Sequence, residues 1–260
     1  MSKWFKELLL FKELLFALIL REIKVRYKQT ALGALWAIMQ PLSLMLIFTI
    51  IFGFFLKVDS QGIPYPIFSY SALLPWTFFS TSISFGSLSI VNNSNLITKI
   101  YFPREVLPLA SLGAAALDFF IACLIFIALF FIFRVPISVN ILYVLPIGFL
   151  MFILTAATLL FLSALVVIWR DLKFVIPLFT QILMFATPVI YPIEKIPQNF
   201  KFVYKLNPLA TLISDFRDVT VFSKSPDLKN LLLIGLIILI FFIVSYTLFK
   251  KIERRFADII

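Results

Sequence analysis

The feature that most limits what this chain can become is the recurrence of long apolar runs, each close to the length that carries a helix across a bilayer. A helix rises about 1.5 Å per residue and the hydrocarbon core is about 30 Å thick, so a crossing takes about 20 mostly apolar residues. Six segments meet that demand, at 32–56, 67–91, 107–133, 139–169, 174–190 and 231–249. The fifth is the shortest and carries Pro177 and Pro188, which a membrane helix accepts when neighbours satisfy the freed carbonyls. The spacing predicts an all-α integral membrane fold of six transmembrane helices. Composition agrees: with 62% hydrophobic and 14% charged residues, the chain has too little charge to cover a globular surface, so lipid must cover it.

The charges that remain sit between the runs. With the N-terminus inside, most of the 23 lysines and arginines fall in cytoplasmic segments, and an even number of crossings returns the C-terminus to the same side. Because the basic residues flank apolar runs and form no stripe, the excess reports orientation and contact with anionic lipid, with no nucleic-acid role. Histidine is absent, which removes the usual general base and metal ligand, and Cys123 is the sole cysteine. No catalytic or metal-binding constellation is expected. The seven glycines are scattered and no G-x-x-x-x-G-K-[ST] string occurs, so no cofactor is expected in this chain, and ATP and Mg2+ would belong to another polypeptide.

Residues 1–31 read as a cytoplasmic interfacial amphipathic helix. The apolar run before Arg21 is too short to span, and a basic stretch succeeds it where a signal peptide would present a cleavage site. Arg21, Lys24 and Lys28 share one helical face, and Trp4 and Tyr27 are rings suited to headgroup depth. Two roles fit: a positive-inside anchor, or contact of Arg21, Lys24 and Arg26 with a phosphate-bearing headgroup, which guanidinium forks suit.

Three further features stand out. The segment 92–106 opens on Asn92, Asn93 and Asn95 and continues through Leu96, Ile97, Lys99, Ile100, Tyr101, Phe102, Arg104 and Glu105. It reads either as a solvated connector or as a docking site of exposed aromatics beside basic residues. Asp118 lies about ten residues into the third run, where a carboxylate is costly unless paired; it marks either a functional group or a polar pocket between helices, with no partner evident. The long outer connection, 191–230, follows Pro188 and is punctuated by Tyr191 and Pro192 and then by Asn207 and Pro208. Its two short apolar stretches read as half-helices forming a gate or lid at the outer mouth, or as an ordinary surface loop. Asp215, Arg217 and Asp218 on the second stretch either pair or are solvated.

Taken together, these strings carry a resemblance. They are Arg21-Glu22-Ile23-Lys24-Val25-Arg26-Tyr27-Lys28 leading to Leu32-Gly33-Ala34-Leu35-Trp36 and Pro41, then Leu74-Pro75-Trp76-Thr77-Phe78-Phe79-Ser80, and the run from Asn95 through Tyr101-Phe102-Pro103-Arg104-Glu105. Trp169-Arg170-Asp171, Pro188-Val189-Ile190-Tyr191-Pro192 and Leu206-Asn207-Pro208-Leu209 complete them. In order and spacing they resemble the permease subunits of polysaccharide ABC exporters, over nearly the whole chain. The resemblance implies a homodimer of six-helix permeases in the bacterial plasma membrane, each with an ABC-2 type domain at 32–260, joined to two copies of a nucleotide-binding ATPase subunit. It implies an undecaprenyl-type lipid-linked glycan as cargo, such as an O-antigen, capsule or teichoic-acid precursor. By the same likeness 92–106 is a coupling segment on the ATPase, 191–222 holds the outer gate helices, and Trp36, Phe48, Phe52, Tyr70, Trp76 and Phe79 are candidates to line an aromatic channel. Those rings equally suit packing or lipid contact. A drug or small-lipid exporter of the same superfamily is the nearest alternative. A secondary transporter would carry more intramembrane charge than Asp118 and detectable repeat halves, and a transferase would need a catalytic constellation.

Overall fold

The computed structural model describes residues 10–28, 30, 33–199, 204 and 206–256. Among them every regular element is helical, as expected from the apolar runs. Helix α1 is Lys12–Tyr27, and α2 is Trp36–Phe48, winding into a π-helical segment at Thr49–Phe55. Helix α3 is Tyr65–Gly86, followed by the short helices α4, Ser89–Asn92, and α5, Ser94–Lys99. The long helices α6, Val106–Phe133, and α7, Val144–Ile168, precede α8, Leu172–Ala186; then come α9, Pro208–Thr220, and α10, Leu228–Glu253.

Four helical stretches are long and apolar enough to cross a membrane: Trp36–Phe55, Val106–Phe133, Val139–Ile168 and Leu228–Glu253. Two of the six expected crossings do not meet that test. Helix α8 has 15 residues, or about 22 Å of rise against a core of about 30 Å. Helix α3 has the length, with 22 residues, but is interrupted by serines, threonines, Tyr70, Trp76 and Pro75. The physical reason is its position. It is the central helix, buried along most of its length, and protein rather than lipid surrounds it. Its hydroxyls are satisfied on the spot: Ser71 donates to the Phe68 carbonyl at 2.7 Å and Ser82 to that of Phe78 at 2.7 Å. A helix satisfied in this way does not need an apolar exterior.

Helices α2, α6, α7 and α9 all pack on α3. Small residues allow the close approach: Ala114, Ala115, Ala156 and Ala157 are buried at the contacts, and a Cβ on Gly86 would lie 2.6 Å from Leu159 Cδ1. A second cluster at one end of the bundle joins Leu18, Ile90, Ile97, Phe102, Leu160, Phe249 and Phe256. The opposite end is tied by Asn140, whose amide donates to the Ser223 carbonyl at 2.7 Å, and by Ser223, whose hydroxyl donates to the Pro136 carbonyl at 3.2 Å. Caps fix the helix starts there: Asn207 Oδ1 accepts from the Leu209 and Ala210 amides, and Asp227 Oδ1 from those of Lys229 and Asn230. The outward faces of α6, α7 and α10 carry Phe120, Leu124, Phe131, Leu145, Phe149, Leu232 and Leu236, a surface suited to lipid.

Helix α1 departs from a simple amphipathic design. Leu14, Leu15, Leu18 and Ile19 turn inward, but Phe16, Leu20 and Val25 face out, so apolar residues lie on both sides. Its inner face docks on α6, where Ile19 packs over Gly113; a Cβ there would meet Ile19 Cδ1 at 2.6 Å. Trp4 lies outside the described residues.

Candidate functional site

Helices α1, α2, α3 and α6 enclose a cavity of about 770 Å³. Arg21, Glu22, Arg26 and Tyr27 enter it from α1, Trp36 and Gln40 from α2, Thr77, Thr81 and Phe85 from α3, and Asp118 from α6, with Asn92 and Asn93 closing one side. Asp118, for which the sequence offers no partner, meets Arg26 Nη1 at 3.0 Å through Oδ2, and its Oδ1 accepts from the Tyr27 hydroxyl at 2.8 Å. Arg26 also donates from Nη2 to the Ser111 carbonyl at 3.3 Å and lies over the Phe85 ring, 4.2 Å from its centroid. Arg21 donates to Asn93 Oδ1, and the Asn93 amide donates to the Ser89 carbonyl at 2.7 Å, which fixes that amide's orientation. Burial and the Asp118 carboxylate together push the Tyr27 phenol above its ordinary range, so it stays a donor.

Of the three basic residues singled out on α1, the structure brings Arg21 and Arg26 into one cavity. Lys24 is exposed and does not line it. Guanidinium forks, side-chain amides, threonine hydroxyls and an indole face make a lining that can receive an anionic, hydroxyl-rich group. The candidate aromatics divide. Trp36 is half exposed at the cavity, Phe52 is partly buried, and Phe48, Tyr70, Trp76 and Phe79 are buried inside the protomer. Tyr70 is fixed there by donating to the Ala122 carbonyl at 3.1 Å.

The segment 92–106 also separates into two sets. Lys99, Ile100 and Tyr101 project outward, Tyr101 with 87% of its surface exposed. Ile97 and Phe102 are buried anchors, with Leu96 packed against them. Glu105 is fully buried, and its Oε2 receives the Lys250 ammonium at 2.7 Å; Lys250 also reaches Glu253 at 2.9 Å, and Glu253 accepts from the Arg104 backbone amide at 3.0 Å. Desolvation raises the Glu105 carboxyl above the usual carboxylate range, and the Lys250 hydrogen bond works against it. Arg104 and Glu105 therefore strap this segment to α10.

At the other end, Pro188 and Pro192 are buried, and α9 supplies the Arg217 guanidinium. It stacks on Phe68 at 3.9 Å and donates to the carbonyls of Val189 at 2.7 Å and Tyr191 at 3.5 Å. The Tyr191 hydroxyl donates to the Phe185 carbonyl at 2.8 Å and lies 2.9 Å from the Tyr204 hydroxyl. Asp215 lies in the same helix with Oδ2 buried and no hydrogen-bond partner for it among the described residues, and burial with the Asp218 and Asp227 charges pushes its carboxyl up to about 7. The second apolar stretch of this connection forms the helix α9, and residues 200–203 and 205 lie outside the described residues. Sequence reasoning misses the parts played by Asn93, Tyr65 and Lys250. Asn93 is visible in a polar run; Tyr65, which donates to the Ile190 carbonyl at 2.8 Å, leaves no signal.

Comparison with known proteins gives concordant matches. The family model described as "ABC-2 type transporter" matches residues 13–221. An O-antigen export system permease protein, RfbA, of Klebsiella pneumoniae is 30% identical over 249 residues, covering 95% of each chain. RfbA of Myxococcus xanthus is 27% identical over 261 residues, covering 99% of each. The polysialic acid transport protein KpsM of Escherichia coli is 28% identical over 213 residues, 79% of this chain and 80% of that one.

Proposed function

The chain belongs to the ABC-2 type transporter family, and on that premise we propose that it is the membrane permease subunit of an exporter that carries lipid-linked polysaccharide outward. The relatives named for O-antigen and polysialic acid handle different glycans, which points to a shared polymer-export role and not to one sugar. The observation that carries the reading is the cavity between α1 and α6, where Arg21 and Arg26 stand beside Trp36, Gln40 and the Thr77 and Thr81 hydroxyls. That lining suits the diphosphate and first sugar of a polyprenyl carrier better than an apolar drug.

The family works with an ATP-binding subunit, which supplies ATP and Mg2+; here the docking surface is Lys99, Ile100 and Tyr101, held out by the buried Ile97 and Phe102. Two permeases and two such subunits form the working assembly. Six crossings are retained, with α3 sheltered inside the bundle and α8 lengthened by the buried turn at 187–190. Both termini face the cytoplasm, so α1 and 92–106 lie inside. Helix α9, latched through Arg217, with the Tyr191 and Asn207 turns, forms the outer gate.

Charge reversal at Arg21 and Arg26 tests the headgroup role. Export of surface glycan is expected to fall to background while membrane insertion and co-purification of the ATP-binding subunit persist. Normal export by that variant would remove the headgroup role.

A further inference from the structure

We infer that Asp118 is a built-in stand-in for the ligand's anionic group: it occupies Arg26 while the cavity is empty and is displaced when a diphosphate arrives. This rests on the reading of the cavity as a headgroup site and assigns Asp118 its role there.

The case begins with charge. Inside the cavity each arginine is matched by one carboxylate: Asp118 meets Arg26 at 3.0 Å and Glu22 meets Arg21 at 4.0 Å. The pairs are unequal. Arg21 is nearly half exposed, whereas only 7% of the Arg26 side chain reaches the surface. A guanidinium so deep has to find an anion, since an uncompensated buried charge costs several kcal/mol. Asp118 supplies it without closing the site, because the cavity stays open along the same side chains. Arg26 reaches the cavity through a guanidinium whose Nη1 and Nη2 are held by Asp118 and the Ser111 carbonyl.

The exchange leaves Asp118 partly held. If diphosphate oxygens take Arg26, Asp118 keeps the Tyr27 hydroxyl as a hydrogen-bond donor at 2.8 Å but loses its counter-ion, and that loss is the energetic cost the ligand has to overcome. Asp118 then sets selectivity. Only a ligand with enough negative charge to outcompete a carboxylate gains Arg26, and neutral glycans or zwitterionic bilayer lipids do not. The cost is affinity, because each binding event breaks the resident pair.

The test is equilibrium binding to the whole assembly in nanodiscs of zwitterionic lipid. Farnesyl diphosphate is presented from the bilayer, inorganic pyrophosphate from solution, and an Arg21→Gln/Arg26→Gln double variant gives the background taken up by the ATP-binding subunit. Asp118→Asn keeps the shape and removes the charge, so diphosphate binding is expected to tighten by about tenfold. The gain should shrink with added salt and vanish when Arg26→Gln is combined with it. Gain for both probes means that the cavity reads the diphosphate wherever it comes from; gain for farnesyl diphosphate alone means that the group must arrive from the membrane. Either supports the stand-in. Unchanged or weaker binding by Asp118→Asn, while Arg26→Gln still loses affinity, overturns it and leaves the headgroup reading intact. If the arginine variants bind as the parent does, the headgroup reading fails and takes the inference with it. Asp118→Ser is the second charge-removing variant should Asp118→Asn not fold.

Discussion

Single residues here do different jobs from neighbours of the same chemistry. Tyr101 and Phe102 are adjacent aromatics, but one is exposed and the other 5% accessible in a packed cluster. Phe102→Ala is expected to cost about 3 kcal/mol as a lowered thermal midpoint in detergent. Tyr101→Ala should change stability by less than about 0.5 kcal/mol yet reduce the ATP-binding subunit that co-purifies. Lys250 gives a third case. Replacing it with Ala leaves the buried Glu105 carboxylate unmatched, and about 3 kcal/mol should be lost, much of it recovered in Lys250→Ala/Glu105→Gln. The sequence marks Asp118 as needing a partner but cannot supply Arg26, because 92 positions separate the two and only the docking of α1 on α6 brings them together.

At the scale of elements, α6, α7 and α10 are legible because their apolar runs are continuous and nothing interrupts the outward face. Length alone makes helix α3 an ordinary crossing, and burial corrects that: its serines and threonines tolerate the interior because their hydroxyls bond to their own helix, as those of Ser71 and Ser82 do. The seam between α3 and α7 depends on Gly86. Gly86→Ala would press a methyl against Cγ and both methyls of Leu159, and a loss of about 2 kcal/mol is expected in thermal unfolding. The latch at the α9 end shows in the sequence as a proline-broken region, yet its organiser, Arg217 with partners on α3 and in the 189–191 turn, depends on a long-range fit that no local pattern encodes.

For the molecule as a whole, stability should depend on pH through the α9 end. Asp215 at the α9 end has its carboxyl raised to about 7 from an ordinary 3.8, so the folded state holds a proton more tightly than the unfolded chain does. Its contribution to stability is full below the ordinary carboxylate range and declines as pH rises through about 7. Thermal midpoints measured from about pH 5 to 8 should fall in the parent and flatten in Asp215→Asn. The sheltered position of α3 also bears on how the chain enters the membrane. A segment this rich in serine, threonine and proline partitions poorly into lipid as a lone helix, so a translocon would release it only once α6 has emerged to cover it. Chains truncated before Val106 would then leave α3 incompletely inserted, and biogenesis would proceed in a helix pair instead of one crossing at a time.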